Sequence, residues 1–193
     1  MSKAISEKVL KTVQHFTALD SVSASAVRGQ MPGTKAAIEK YLAAIEFEGV
    51  SHLDYEGFSA WLDNHTKCIQ RKLPARAGRV HPWGVARKSL NLFLRSCSYN
   101  YYLRTRYSID KISPWLEVPL DSVVAKELRK WELEKHPDLD TKDRLPRWKG
   151  LIHLEQPESD QYQGFARKCA KECDLDPAVL LDNVLWLRGR GKK

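Results

Sequence analysis

Long apolar runs are missing from this chain of 193 residues. The segment that follows Met1 is polar, so it has no signal peptide, and no stretch is long enough to span a bilayer. The alternation of apolar and polar residues that marks a half-buried strand is also missing, and so are internal repeats. We therefore expect a soluble, cytoplasmic, helical protein without membrane partners.

Cysteine is scarce, with only Cys68, Cys97, Cys169 and Cys173 in the chain. Cys169 and Cys173 are one helical turn apart, but no second pair with the spacing of a zinc site accompanies them. The histidines show no ligand spacing either. We expect free thiols in a reducing compartment, and neither a metal ion nor a cofactor.

Positive charge exceeds negative charge in this chain, which has a formal net charge of +8 and a pI near 9.3. A basic protein favours an anionic partner, and nucleic acid is the commonest one. Hydrophobic residues make up 42% of the chain, which is enough for a core. The length fits a single domain over residues 1–193, and nothing demands more than a monomer.

Apolar residues recur at helical spacing in several segments, which predicts an all-α protein. The clearest pattern is Leu90, Phe93, Leu94, Cys97 and Tyr101. A helix is also predicted over residues 6–19, a second with Thr34 as its cap, and a third after Asp54. Three more are predicted from Asp121 to Trp131 and over residues 159–172 and 177–187. A charged stretch from Glu132 to Arg147 is predicted to be a surface loop.

The segment Pro82-Trp83-Gly84-Val85-Ala86-Arg87-Lys88 predicts a tight turn that leads into a helix. Free amides at such a helix start bind phosphate, and Arg79 and Arg87 would add positive charge there. Lys88 is predicted in the first helical turn, where the helix dipole disfavours a cation and so favours a neutral, nucleophilic amine. The alternative is an ordinary solvated lysine.

Asp121 follows Pro119 and precedes Ser122-Val123-Val124, at the predicted start of another helix. A carboxylate at this position is typical of an N-cap, which satisfies the amides of the first turn. It can also act in a reaction if one of its oxygens faces a cleft.

Together these residues resemble the helix-hairpin-helix DNA glycosylase superfamily. In that family a hairpin that ends Gly-Val-Gly-x-Lys is followed by Pro-Val-Asp-Thr-His-Val. Residues 84–88 are similar to the first motif, with Ala86 for the second glycine, and residues 119–124 to the second, with Ser122 and Val123 for Thr-His. The spacing, and the ending Leu181-Asp182-Asn183-Val184-Leu185-Trp186-Leu187, resemble the archaeal 8-oxoguanine DNA glycosylase (AGOG) branch.

The resemblance implies two helical lobes with an active-site cleft between them. The hairpin and catalytic helix would span residues 75–105, the helix of the catalytic Asp 119–131, and the C-terminal helices 159–188. Lys88 would attack C1′ of the nucleotide and form a Schiff base, and Asp121 would assist. The protein would act on DNA with a modified base, in association with the nucleoid, as a base excision repair enzyme.

The resemblance also implies a base pocket and a DNA-backbone surface. Trp186 would stack on the extruded base and Asp182 would bind its edge. Trp61 is a candidate for the second wall of the pocket. The backbone contacts would come from Arg79, Trp83, Gly84, Ala86 and Arg87. For Trp186, periodicity alone favours a core position in the last helix.

Three functions remain open from the sequence. The first is a glycosylase and AP lyase that removes 8-oxoguanine. The second is the same fold with a pocket for another altered base, such as a bulky modified cytosine of foreign DNA. The third is a non-catalytic helix-hairpin-helix protein that only binds DNA, with Lys88 as one more cation.

Overall fold

The computed structural model describes residues 6–22, 27–74 and 82–190. Within these ranges the chain forms eight α-helices, linked by loops and short 3₁₀ turns, and no strand, which confirms the all-α prediction. The helices are α1 (Glu7–Ser21), α2 (Thr34–Ala43), α3 (Tyr55–Lys72), α4 (Trp83–Tyr99), α5 (Tyr101–Tyr107), α6 (Ser122–Lys135), α7 (Gln156–Glu172) and α8 (Leu181–Arg190).

Polar side chains cap several helices where the sequence predicts helix starts. Ser6 accepts a hydrogen bond from the amide of Val9 at the start of α1, and Asp54 accepts one from Gly57 at the start of α3. The predicted cap Thr34 is wrong, because Gly33 is the N-cap of α2 and Thr34 is its first residue. Gly33 has φ +86°, a conformation that residues with a Cβ rarely adopt.

Two apolar cores divide the molecule. The first is formed mainly by α1 to α5, with residues such as Leu42, Phe58 and Phe93. The second is formed by α6, α7 and α8 with the extended segment before α6, and it includes Leu128 and Tyr162. Helix α4 contributes Val85 and Leu90 to the first core and Trp83 to the second, so it lies where the two cores meet.

The predicted loop over residues 132–147 is wrong in its first part, because α6 continues to Lys135. Glu132 is buried, with 3% of its surface exposed, and accepts a hydrogen bond of 2.7 Å from the amide of Leu145. The Tyr162 hydroxyl donates to the carbonyl of Pro146 at 2.7 Å. These bonds hold the loop that follows α6 against the second core. The many charged residues of this segment do not predict that attachment.

The C-terminal helices begin at different residues from those predicted. Helix α7 begins at Gln156, ahead of the predicted Ser159, and a capping box of Glu155 and Glu158 fixes its start. Residues 178–180 form a 3₁₀ turn, so α8 begins at Leu181 and continues beyond the predicted end to Arg190. None of the helices in the three described ranges is long and apolar enough to cross a bilayer.

Candidate active site

Lys88 and Asp121 come together where the two cores meet. The Lys88 Nζ lies 3.3 Å from Asp121 Oδ2, and the two side chains are 8% and 28% exposed. Helix α4 begins at Trp83, so Lys88 is its sixth residue and lies in the second turn. The prediction of a first-turn position is therefore wrong. The helix dipole acts mainly within the first turn, and the charged group in contact with this amine is the Asp121 carboxylate.

Asp121 has a separate contact for each of its carboxylate oxygens. Oδ1 accepts hydrogen bonds from the amides of Val123 at 2.8 Å and Val124 at 3.0 Å, which makes Asp121 the N-cap of α6. Oδ2 faces Lys88. The cap fixes the orientation of the carboxylate, and the second oxygen remains available to accept a proton. Asp121 can therefore cap α6 and act as a proton acceptor at the same time.

An open cleft of about 650 Å³ contains this pair. That volume is within the range of small-molecule sites, roughly 300–1,000 Å³. The cleft is lined by α1, α4, the segment before α6, and α8: Asp20, Ser21, Lys88, Leu92, Arg95, Ser96, Pro119, Asp121, Asp182, Asn183, Trp186 and Leu187.

Trp186 and Asp182, both predicted for a base pocket, line the same cleft as Lys88. Trp186 is 39% exposed, so it is not the core residue that periodicity favours. Asp182 is 7% exposed and forms an ion pair with Arg95 through Oδ2. Asn183 donates to the hydroxyl of Tyr99 at 3.2 Å on the same side of the cleft.

Arg95 is a charged residue of the cleft that the sequence did not assign to the base pocket. It lies seven residues after Lys88 on α4, a spacing that puts both side chains on one helix face. That spacing was visible in the sequence, but the pairing with Asp182, 87 positions away, was not. The pair gives the cleft a hydrogen-bond donor and an acceptor side by side.

Trp61 does not line the cleft, so its predicted place in the base pocket is wrong. Its ring stacks on Phe58 with centroids 5.9 Å apart and lies 4.1 Å from the ring of His65. The three residues lie on one face of α3, and Trp61 packs against the first core.

All four described residues that are predicted to contact the DNA backbone are buried, which argues against that role. Trp83 is 5% exposed, Ala86 is 0% exposed and Arg87 is 3% exposed. Gly84 is buried as well. A backbone phosphate cannot reach groups that the protein itself covers. Arg79, the remaining candidate, lies outside the described residues, as does most of the predicted hairpin.

Gly84 is required for close packing rather than for a turn. A Cβ at this position would lie 2.4 Å from the carbonyl oxygen of Leu151 and 2.7 Å from the Cβ of Leu154. The segment 151–154 therefore covers the start of α4, and only a residue without a side chain allows that approach.

No group of three or more His, Cys, Asp or Glu side chains within the described ranges is arranged to hold a metal ion. The four cysteines are free thiols. No family model matches the sequence, and neither a curated protein nor a solved structure matches the chain. The chemistry of the cleft is therefore the basis on which a function is argued.

Proposed function

We propose that this protein is a DNA glycosylase with AP lyase activity that removes an altered base, with 8-oxoguanine as the first candidate, through a Schiff base on Lys88. The observation that carries this proposal is the 3.3 Å contact between Lys88 Nζ and Asp121 Oδ2 in the wall of a cleft. The chemistry needs a nearly buried amine, one adjacent carboxylate to take its proton, and space for a base. The cleft offers all three.

The reaction begins with transfer of a proton from the Lys88 ammonium to Asp121. The neutral amine attacks C1′ of the nucleotide, and the bond from C1′ to the base breaks. The base leaves with that electron pair and takes a proton. Loss of a proton from the nitrogen and opening of the sugar ring, whose oxygen is protonated, give the Schiff base. Removal of a proton from C2′ then expels the 3′ phosphate and nicks the strand.

The base must leave the duplex to reach Lys88, and the cleft offers contacts for it. Trp186 is exposed enough to stack on an extruded base, which is worth about 1–3 kcal/mol per base. Arg95 and Asp182 supply a donor and an acceptor for the base edge. The net charge of +8 supports binding of the surrounding phosphates.

A different altered base remains the second candidate, because the cleft is open and its volume of about 650 Å³ exceeds that of one purine and leaves room for a bulky modified cytosine. The third reading, a helix-hairpin-helix protein that only binds DNA, is less well supported. It relies on hairpin amides and Arg79 as phosphate contacts, and Arg79 lies outside the described residues. It also treats Lys88 as one more cation, whereas Lys88 is nearly buried and in contact with Asp121.

Trapping with sodium borohydride tests the proposal directly. Duplexes that carry 8-oxoguanine, a bulky modified cytosine or an abasic site would be incubated with the protein and the reductant. We expect a covalent complex with at least one duplex, and its loss in Lys88→Ala. The matched control is Lys126→Ala, which removes an exposed lysine of α6. Absence of any covalent complex, or equal trapping by Lys88→Ala, contradicts the proposal.

A further inference from the structure

Arg87 is adjacent to Lys88 in sequence, but its side chain belongs to a buried cluster rather than to the cleft. Its Nε and one terminal nitrogen each donate to a different oxygen of Glu117, both at 2.8 Å. The other terminal nitrogen donates to Asp63 at 2.8 Å and to Thr66 at 3.0 Å. We name these residues, together with Asn91, the Arg87 cluster.

Glu117 connects this cluster to the segment that carries Asp121. It also accepts a hydrogen bond of 2.9 Å from Asn91, one helical turn after Arg87 on α4. Glu117 comes four residues before Asp121, in a stretch without regular structure. Because that stretch has no helical or sheet hydrogen bonds of its own, side-chain contacts determine its position.

A second attachment holds the same segment from the other side. The side chain of Gln163 on α7 accepts from the amide of Val118 at 3.0 Å and donates to its carbonyl at 2.8 Å. Residues 117 and 118 are therefore fixed to α4 and to α7, and Leu120 is buried in the second core. The chain then enters α6 at Asp121.

Arg87 thus holds the Asp121 segment against the same helical turn that presents Lys88. A bidentate arginine–carboxylate pair fixes orientation as well as distance, because both groups are planar. The pair is nearly inaccessible, with side chains 4% and 10% exposed, so solvent screens it little.

We propose that Arg87 and Glu117 are a positioning pair that holds Asp121 in reach of Lys88. This inference rests on the proposed function for its catalytic consequence, but the geometry that it describes does not depend on the reaction. A displacement of the carboxylate by about 1 Å can cost up to about 100-fold in rate.

A double-mutant cycle is the first test. Glu117→Gln keeps the shape of the side chain but loses its charge. We expect it to lower the single-turnover rate on the lesion duplex about 10- to 100-fold with unchanged DNA affinity. In an Asp121→Asn background the same substitution should cause no further loss, because its effect passes through Asp121. Additive losses would overturn the inference.

Lysine labelling of the free protein is the second test, and it needs no DNA. Reductive methylation of Lys88, read by peptide mass spectrometry against the other lysines, reports how its amine is held. We expect Glu117→Gln to shift the labelling rate of Lys88 in the same direction as Asp121→Asn. Glu132→Gln is the matched control, since it also alters a buried carboxylate that holds a loop, and it should label as the parent does.

A second variant, Asn91→Leu, and the borohydride result in the parent complete the test. Asn91→Leu removes the 2.9 Å bond to Glu117 without removing a charge, and serves if Glu117→Gln does not fold. Labelling of Lys88 that stays at the parent rate in Glu117→Gln and Asn91→Leu, while Asp121→Asn changes it, refutes the positioning role. Failure of borohydride trapping in the parent refutes the proposed function alone, because the labelling result stands without it.

Discussion

Arg87 and Lys88 are neighbours in sequence and almost equally inaccessible, yet they have opposite surroundings. Arg87 makes four hydrogen bonds to two carboxylates and a hydroxyl, all between 2.8 and 3.0 Å. Lys88 has one carboxylate contact, at 3.3 Å, and faces an open cleft. The burial that works against the charge of Arg87 is outweighed by Glu117 and Asp63, which raise its pKa.

The comparison shows how one helix presents, from adjacent residues, a cation paired in the interior and an amine that faces a cleft. Most donors of the Arg87 guanidinium are satisfied, and its departure would leave the carboxylates of Glu117 and Asp63 buried without a cation. Arg87 therefore makes the surrounding structure rigid. An amine with one carboxylate partner and a cleft in front of it can give up a proton and form a bond. The buried contacts of Arg87 therefore hold the helix that presents Lys88 to the cleft.

The largest expected effect is on the reactive side, at Asp121. Asp121→Asn should lower base release about 10²- to 10⁴-fold, because the amide cannot take a proton from Lys88. Asparagine caps a helix about as well as aspartate, so any loss of thermal stability reflects the broken Lys88 ion pair rather than the cap. Single-turnover kinetics and melting temperature would be measured on the same preparation.

Asp121→Ala separates the two roles of this residue. It removes the cap as well as the proton acceptor, so it should also cost about 1 kcal/mol of stability. If Asp121→Asn released base as fast as the parent, the carboxylate would serve as a helix cap only. Lys88 would then not differ from Arg87 by a role in catalysis.

The next effect in size concerns stability and lies on the structural side. Arg87→Leu leaves Asp63 and Glu117 without their shared cation, which should destabilise the fold by about 3–5 kcal/mol. Chemical denaturation would measure this loss. Because Arg87 is buried, we expect the salt dependence of DNA binding by the folded fraction to stay unchanged. A weaker dependence of DNA affinity on salt concentration in Arg87→Leu would indicate that Arg87 contacts DNA phosphates after all.

Much of the fold was predictable from the sequence because its signals are local. Helices are predicted correctly to start near Ser6, after Asp54 and at the cap Asp121. The apolar spacing from Leu90 to Cys97 correctly predicts the buried face of α4, but the last member of that pattern, Tyr101, lies in α5 and is exposed. The Lys88–Asp121 contact was predicted by resemblance to a known motif order and is present in the structure. Local patterns predicted the helices, and the motif order predicted which two of their residues meet.

The structural side was not predictable, because its partners are distant in sequence. Arg87 meets Asp63 and Glu117 at separations of 24 and 30 residues, so nothing near Arg87 distinguishes it from a phosphate ligand. Trp61 likewise looks like any exposed aromatic until α3 is seen packed on the first core. The cover over Gly84 comes from residues 151–154, far along the chain.

A smaller effect is expected where the cleft recognises its ligand. Arg95→Gln and Asp182→Asn each break the ion pair on the cleft wall, and each should weaken binding of lesion DNA about 10- to 100-fold relative to undamaged DNA. Fluorescence anisotropy with both duplexes measures this ratio. Tyr99→Phe is the control, because it removes the 3.2 Å bond with Asn183 and leaves both residues of the ion pair in place. An equal loss for both duplexes would assign the pair to general DNA binding.

The smallest effect is a pH dependence next to the Arg87 cluster. His65 lies between Asp63 and Thr66 on α3, and its Nδ1 is 2.8 Å from the hydroxyl of Tyr41. Burial lowers the pKa of His65 below its ordinary value of 6.5. Below about pH 6.5 the unfolded chain therefore binds a proton that the folded protein resists, so stability falls as the pH decreases toward the lowered pKa.

Melting temperatures of the parent and of His65→Gln would be measured at pH 7.5 and at pH 5, which lie about one unit or more on either side of 6.5. The difference between the two proteins should become smaller at the lower pH. His153→Gln, an exposed histidine, should follow the parent throughout. A parallel decrease in all three proteins would show that the acid sensitivity does not come from His65.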